Sequence, residues 1–379
     1  MRKELQTCER NYGIDALRII SMIMIVILHI MGHGGILKSL PYMTNGHYSV
    51  WILETAAYGA VNTYALISGY VGISSKFKYS GIINLLFSVV FYSLGFSLVF
   101  YITSPETVTP QDLLQAVFPY AFNTYWYFTA YFCMYFFIPY FNHLINSLNQ
   151  FNASKLVFSL VLITSVIPTV FQVDMAITKN GYSALWLSVL YIIGAYIRKY
   201  NIGNKAKKHM LLLIYLCCVT VNCLSKFAAE YSSQNILYKA INSNFLISYC
   251  SPTVLLASAA LLILFSKISF ENKSRKIISF FTPLTFGVYL IHDFPLIRNN
   301  YIVDKFINLT SYSSPIMIPL IIVSAISVWF VCSLADKLRA ELFKLIKIKL
   351  LSEKIFILFA KLVSVLFKSV ENQTDGNND

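Results

Sequence analysis

About ten stretches of roughly 20 mostly apolar residues punctuate this 379-residue chain, and that spacing restricts the fold more than any other feature. A helix crossing ~30 Å of hydrocarbon needs roughly 20 such residues, because its backbone polar groups must be satisfied within the segment. The stretches run approximately over 14–33, 48–73, 80–103, 124–147, 155–173, 182–199, 208–229, 245–267, 277–297 and 312–335. The expected fold is all-α, a polytopic membrane helical bundle of about ten transmembrane helices. Residues 113–122 are apolar but short and read as an interfacial lead-in to the fourth span. Composition agrees: the chain is 57% hydrophobic and only 12% charged, against about 25% charged in soluble domains.

The distribution of Lys and Arg sets an orientation. With the N-terminus in the cytoplasm, the inner segments hold Arg2, Lys3 and Arg10, then Lys76 and Lys78, then Arg198 to Lys208, then Lys267 to Lys276. The outer loops hold Lys38, Lys179, Lys239, Arg298 and Lys305, mostly singly. Both termini are therefore expected in the cytoplasm. The net charge of +13 reads as this inner bias plus attraction to anionic membrane lipid, not as a nucleic-acid surface. Within 336–379, Lys347, Lys354, Lys361 and Lys368 recur every seven residues, which puts them on one helical stripe. The chain thus divides into a transmembrane domain, 1–335, and a basic amphipathic cytoplasmic tail, 336–379. An eleventh span over about 350–367 is the alternative, and it would bury Glu353, Lys354 and Lys361. The seven cysteines show neither a disulfide framework nor a metal-ligand spacing, so no metal is expected.

The first apolar stretch carries charge where charge is expensive. Asp15 and Arg18 lie three residues apart, a neighbouring spacing on a helix, and His29 follows Arg18 by eleven, three turns plus about 20°. His33 comes four residues later on the same face. Such a stripe must face the bundle interior or a water-filled cavity. Two bland readings compete: a snorkelling Asp15–Arg18 pair at the interface, and His29 as a packing residue. The chemical reading is sharper. A histidine can accept a hydroxyl proton near neutral pH, and an arginine can hold phosphate or developing negative charge.

The stretch RNYGIDALRIISMIMIVILH, Arg10 to His29, resembles the opening signature of the acyltransferase-3 family of integral membrane acyltransferases. Three further stretches resemble that family in order: YALISGYVG (64–72), YWYFTAYFCMYFFIPYF (125–141) and LTFGVYLIHDFPL (284–296). The resemblance covers roughly residues 10–335. It implies transfer of an acyl group, usually acetyl, from cytoplasmic acyl-CoA to a hydroxyl of an extracytoplasmic or lipid-linked acceptor, in the bacterial cell (inner or plasma) membrane. Acetyl-CoA is then a substrate, and no bound cofactor is implied. His29 matches the catalytic histidine, Arg18 the arginine that places the donor, and Asp15 would hold Arg18. A covalent acyl-histidine and a general base both suit His29.

Many members carry arginines in the loop after the second motif. Here that loop reads SSKFKYSG, so Lys76 and Lys78 are the donor-phosphate candidates, without the bidentate fork of arginine. Trp126, Tyr127 and His292 are candidate acceptor contacts, the aromatic faces suiting a sugar ring. The expected function is a membrane O-acetyltransferase acting on a cell-surface polysaccharide or its lipid-linked precursor, of capsule or O-antigen type. The alternative is a multi-span transporter or flippase of a lipid-linked glycan, which predicts an internal repeat or paired broken spans.

Overall fold

The structure, a computed structural model, describes residues 10–233 and 243–375. Arg2, Lys3 and Lys239, which entered the orientation argument, lie outside the described residues, as does the side chain of Lys368. The described residues form helices and connecting turns, with no strand among them.

Among the described residues, five helices are long and apolar enough to cross a membrane: Tyr12–Ser39, Ser80–Thr103, Gln150–Phe171, Lys208–Ser232 and Ser314–Leu345. A sixth span exists if the pair Asn272–His292 and Pro295–Tyr301, bent by 72°, is counted as one. The expected ten are not all uninterrupted. The 48–73 stretch is two helices, Asn45–Tyr58 and Ala60–Gly72, parted at Gly59, whose carbonyl accepts the Ser258 hydroxyl at 2.9 Å. The 124–147 stretch breaks at Phe136 and Phe137, just before Pro139, into Trp126–Tyr135 and Ile138–Ser147. A proline in the first turn is tolerated but cannot continue a preceding helix. The 182–199 and 245–267 stretches supply the shorter helices Ala184–Lys199 and Pro252–Ser266.

The helix Tyr12–Gly32 is the axis of the bundle. Two-thirds of its most apolar window (67%) is buried, against a third or less for the other four long helices. It packs against the helices Asn45–Tyr58, Ala60–Gly72, Pro252–Ser266, Asn272–Phe281, Thr285–His292 and Ser314–Leu345. Beside it, Ala60–Gly72 and Ala184–Lys199 approach closely through reciprocal glycines. A Cβ on Gly69 would lie 1.9 Å from the Tyr191 carbonyl oxygen, and one on Gly194 would lie 2.1 Å from that of Leu66. Small residues at such crossings let membrane helices pack backbone to backbone. Gly69 sits inside the YALISGYVG motif, which gives that motif a packing reason.

A second lock joins three helices. Asp336, fully buried on Ser314–Leu345, accepts from Arg339 Nε and Nη2 at 2.8 and 2.9 Å and from the Tyr92 hydroxyl of Ser80–Thr103 at 2.9 Å. Its carboxylate occupies the space that a Cβ on Gly287 would fill. The helix carrying Asp336 runs unbroken past residue 335 to Leu345. The chain then turns at Ile346 and Lys347, whose φ is 56°, into the helix Ile348–Asp375. That tail helix lies along Ser80–Thr103; Glu353 is 3.6 Å from Lys78, and Phe356 stacks on Tyr79.

Candidate active site

One face of the first helix lines two separate spaces. Near its N-terminus, Asn11, Ile14, Asp15 and Arg18 border a pocket of 480 Å³; from Met22 onward, Ile25, His29, Gly32 and His33 border a cavity of 540 Å³. The positions step by three or four, so a single stripe runs from the pocket to the cavity with one turn between Arg18 and Met22. Two other segments make the same passage. Tyr70 and Val71 face the pocket while Val61 and Tyr64 face the cavity; likewise Thr282 and Pro283, then Phe286 and Tyr289.

The pocket is basic. The helix begins at Asn11, whose Oδ1 accepts the Ile14 N–H at 3.1 Å. Asp15, buried in the first turn, accepts from Arg10 Nε at 2.5 Å and from Arg18 Nη1 at 3.4 Å. An acidic side chain there is favoured by the helix dipole. Arg198, from Ala184–Lys199, also lines the pocket and donates to the Tyr70 hydroxyl at 3.2 Å. Three guanidinium groups thus border one space suited to a polyanion. Lys76 and Lys78 are exposed and lie outside its lining; the same loop contributes Ser74 and Ser75 instead.

The cavity is aromatic, walled by Tyr58, Tyr64, Trp126, Tyr127, Tyr182, Tyr249, Phe286 and Tyr289, with His29, His33, Glu54, Asp293 and Arg298 as its ionisable groups. Trp126 and Tyr127 therefore share a space with His29. His292 is buried behind His29 and does not line the cavity. Its Nδ1 is 2.6 Å from the Val288 carbonyl, which can only accept, so that nitrogen carries the proton. In the neutral ring Nε2 is then an acceptor, and it lies 2.9 Å from His29 Nδ1. The hydrogen-bond chain fixes His29 with Nδ1–H donating to His292 and Nε2 holding a free lone pair. Asp293 Oδ1 is 3.7 Å from His29 Nδ1 and accepts from Arg298 Nη1 at 3.0 Å. Asp293 follows the last residue of Thr285–His292, at the 72° bend, which turns it toward His29.

By donor type, His29, His33 and Asp293 resemble a metal set, their ligand atoms lying within 4.8 Å of one another. Arg298, a cation already paired with Asp293 Oδ1, opposes a second cation there. The arrangement suits proton handling instead. A lone pair on a half-buried, oriented imidazole beside a carboxylate can take a proton and have the resulting charge stabilised.

A family model described as an acyltransferase domain matches residues 11–334. The chain belongs to the acyltransferase-3 family. Neither a curated protein nor a solved structure matched the chain. The matched region of this acyltransferase takes in the whole lining of the cavity and, apart from Arg10, that of the basic pocket. Membership makes it a membrane acyltransferase. Sequence reasoning passed over Arg198, Glu54, Asp293 and Arg298. A signal existed for Asp293 and Arg298, since Asp293 is the residue after His292 and Arg298 follows five later. Glu54 had a signal too, a carboxylate inside the apolar stretch 48–73, whereas Arg198 had none and joins its site only by packing.

Proposed function

We propose that this acyltransferase is a membrane O-acetyltransferase of the bacterial cell membrane. It moves acetyl from cytoplasmic acetyl-CoA to a hydroxyl of a cell-surface polysaccharide or its lipid-linked precursor. The observation that carries the reading is the single face of Tyr12–Gly32 that lines both the arginine pocket and the histidine cavity. Arg10, Arg18 and Arg198 would hold the CoA phosphates at the cytoplasmic end, with Asp15 orienting Arg18. Lys76 and Lys78 would attract the anion from the rim. The thin pantetheine arm would follow the stripe about 16 Å from Arg18 to His29, at 1.5 Å per residue. Family membership favours acyl transfer over a transporter or flippase.

The chemistry follows from the tautomer. His29 Nε2 takes the proton from the acceptor hydroxyl as its oxygen attacks the thioester carbon. The C–S bond then breaks, and His29 returns the proton to the departing thiolate, giving the ester and CoA. Asp293 offsets the transient imidazolium charge, and Arg298 faces the developing oxyanion; one such donor is worth about 3–4 kcal/mol in well-studied acyl transfers. A general base therefore suits the geometry without a covalent acyl-histidine. The outer acceptor would find room in a neighbouring polar groove of 300 Å³ that shares Tyr58 and Tyr182 with the cavity.

The test is acetyl incorporation from labelled acetyl-CoA in membranes carrying the full chain. Wild type should label surface glycan, and His29→Gln, inserted at equal level, should not. Normal labelling by His29→Gln would sink the mechanism.

A further inference from the structure

Glu54 has no part in the proton chemistry above, yet it is buried in the same cavity. It lies on Asn45–Tyr58 with only 7% of its surface exposed. Neither carboxyl oxygen makes a hydrogen bond among the described residues; Oε2 is sealed off, which leaves Oε1 as the oxygen a ligand can reach. A carboxyl group left unpaired in a low-dielectric interior is unfavourable in either protonation state unless something supplies a hydrogen-bond partner. The residues around it show what that partner would be. Tyr58 stacks on Tyr249 at 4.8 Å, and Trp126 meets Tyr182 at 4.5 Å, so flat aromatic faces flank the carboxyl. Aromatic faces accept the C–H side of a pyranose ring, and a carboxyl pairs with its hydroxyls.

Resting on the acyl-transfer reading of this cavity, we infer that Glu54 recognises the acceptor sugar: its accessible oxygen, Oε1, bonds a ring hydroxyl other than the one that His29 activates. Two hydroxyls of one ring are then held at two fixed points. Which hydroxyl faces His29 follows from which one Glu54 holds. Glu54 is a positioning residue that sets the position acetylated, and it touches no reacting atom.

The experiment measures binding, so it does not depend on turnover. The full chain, purified into lipid nanodiscs, is titrated with methyl pyranosides of gluco, galacto, manno and N-acetylgluco configuration and with the monodeoxy analogues of each. Ligand-observed NMR gives the dissociation constants. In the wild type, deleting one particular hydroxyl should weaken binding about tenfold, the range for leaving a buried hydrogen-bonding group unpaired. In Glu54→Ala that penalty should vanish for that position alone, while penalties at the other positions persist. Glu54→Gln, which keeps size and a hydrogen-bonding oxygen, should retain part of it. Labelled CoA binding at the arginine pocket checks that each variant is folded.

Equal deoxy penalties in Glu54→Ala and wild type would overturn the inference. So would a wild-type chain that binds none of these sugars at millimolar concentration. If sugars bind with the expected Glu54 dependence but acetyl is never transferred, the reaction assigned to the cavity is wrong and the sugar site stands. If acetyl is transferred but the deoxy pattern ignores Glu54, the reaction stands and the sugar contact is wrong.

Discussion

The proton on His292 Nδ1 decides the state of His29, so the two histidines are unequal partners although they lie 2.9 Å apart. His292→Ala removes the acceptor for His29 Nδ1–H and frees the ring to turn or change tautomer. Acetyl transfer should then fall about ten- to a hundredfold, with the KM for acetyl-CoA unchanged. His292→Gln, which presents an amide oxygen to the same N–H, should recover a large share. Equal losses in both variants would make His292 a packing residue. At the other end, Arg18→Ala should raise the KM for acetyl-CoA about tenfold, and Arg18→Lys should restore insertion better than KM, since it lacks the fork. Asp15→Asn should do less than Arg18→Ala. Wild-type rates for Arg18→Ala at low acetyl-CoA would reduce Arg18 to a snorkelling anchor. These residues differ in how far the sequence discloses them. Asp15, Arg18 and His29 show their common face because helical spacing is local. Glu54 sits among Leu53, Thr55 and Ala56 with no spacing to mark it, and only the fold brings it to His29.

Among helices, the tightest constraint is the crossing of Ala60–Gly72 with Ala184–Lys199. Gly69→Val and Gly194→Val each drive a side chain into carbonyl oxygen, which cannot move aside as a side chain would. Each should destabilise by at least the ~1–3 kcal/mol of ordinary overpacking. By contrast, a Cβ added to Gly95, in the middle of Ser80–Thr103, would meet nothing within 4 Å. Gly95→Ala should therefore be neutral or stabilising by up to ~1 kcal/mol, the helix-interior cost of glycine. Thermal unfolding in one detergent compares all three, and a Gly69→Val variant as stable as wild type would contradict the packing described. The helices also mark where apolar length misleads. The 80–103 stretch matches Ser80–Thr103 because nothing in it interrupts the pattern. The 48–73 stretch divides at Gly59, and a lone glycine is common enough in membrane helices to give no warning. The 277–297 stretch bends after His292, where Asp293 and Pro295 lie together, a signal present in the sequence but hidden by apolar neighbours.

For the whole molecule, orientation is the property to measure. Reporter fusions after Lys78, after Lys208 and at the C-terminus should read cytoplasmic, and fusions near Glu106 and Lys239 should read outside. A C-terminus on the outside would turn the tail into an eleventh span and end the amphipathic reading. The contact of Glu353 and Phe356 with Lys78 and Tyr79 expects the tail on the same side as that loop. The stripe on the first helix carries a consequence beyond adjacency. Because one rigid helix bears both Arg18 and His29, their separation and their relative angle cannot be changed independently. Adding one residue between them lengthens the gap by about 1.5 Å but swings His29 by about 100°, out of the cavity; adding seven nearly restores the angle, within about 20°, and overshoots by about 10 Å. The helix behaves as a gauge in which reach is quantised by pitch, so no small insertion or deletion here yields an enzyme tuned to a slightly longer or shorter donor arm.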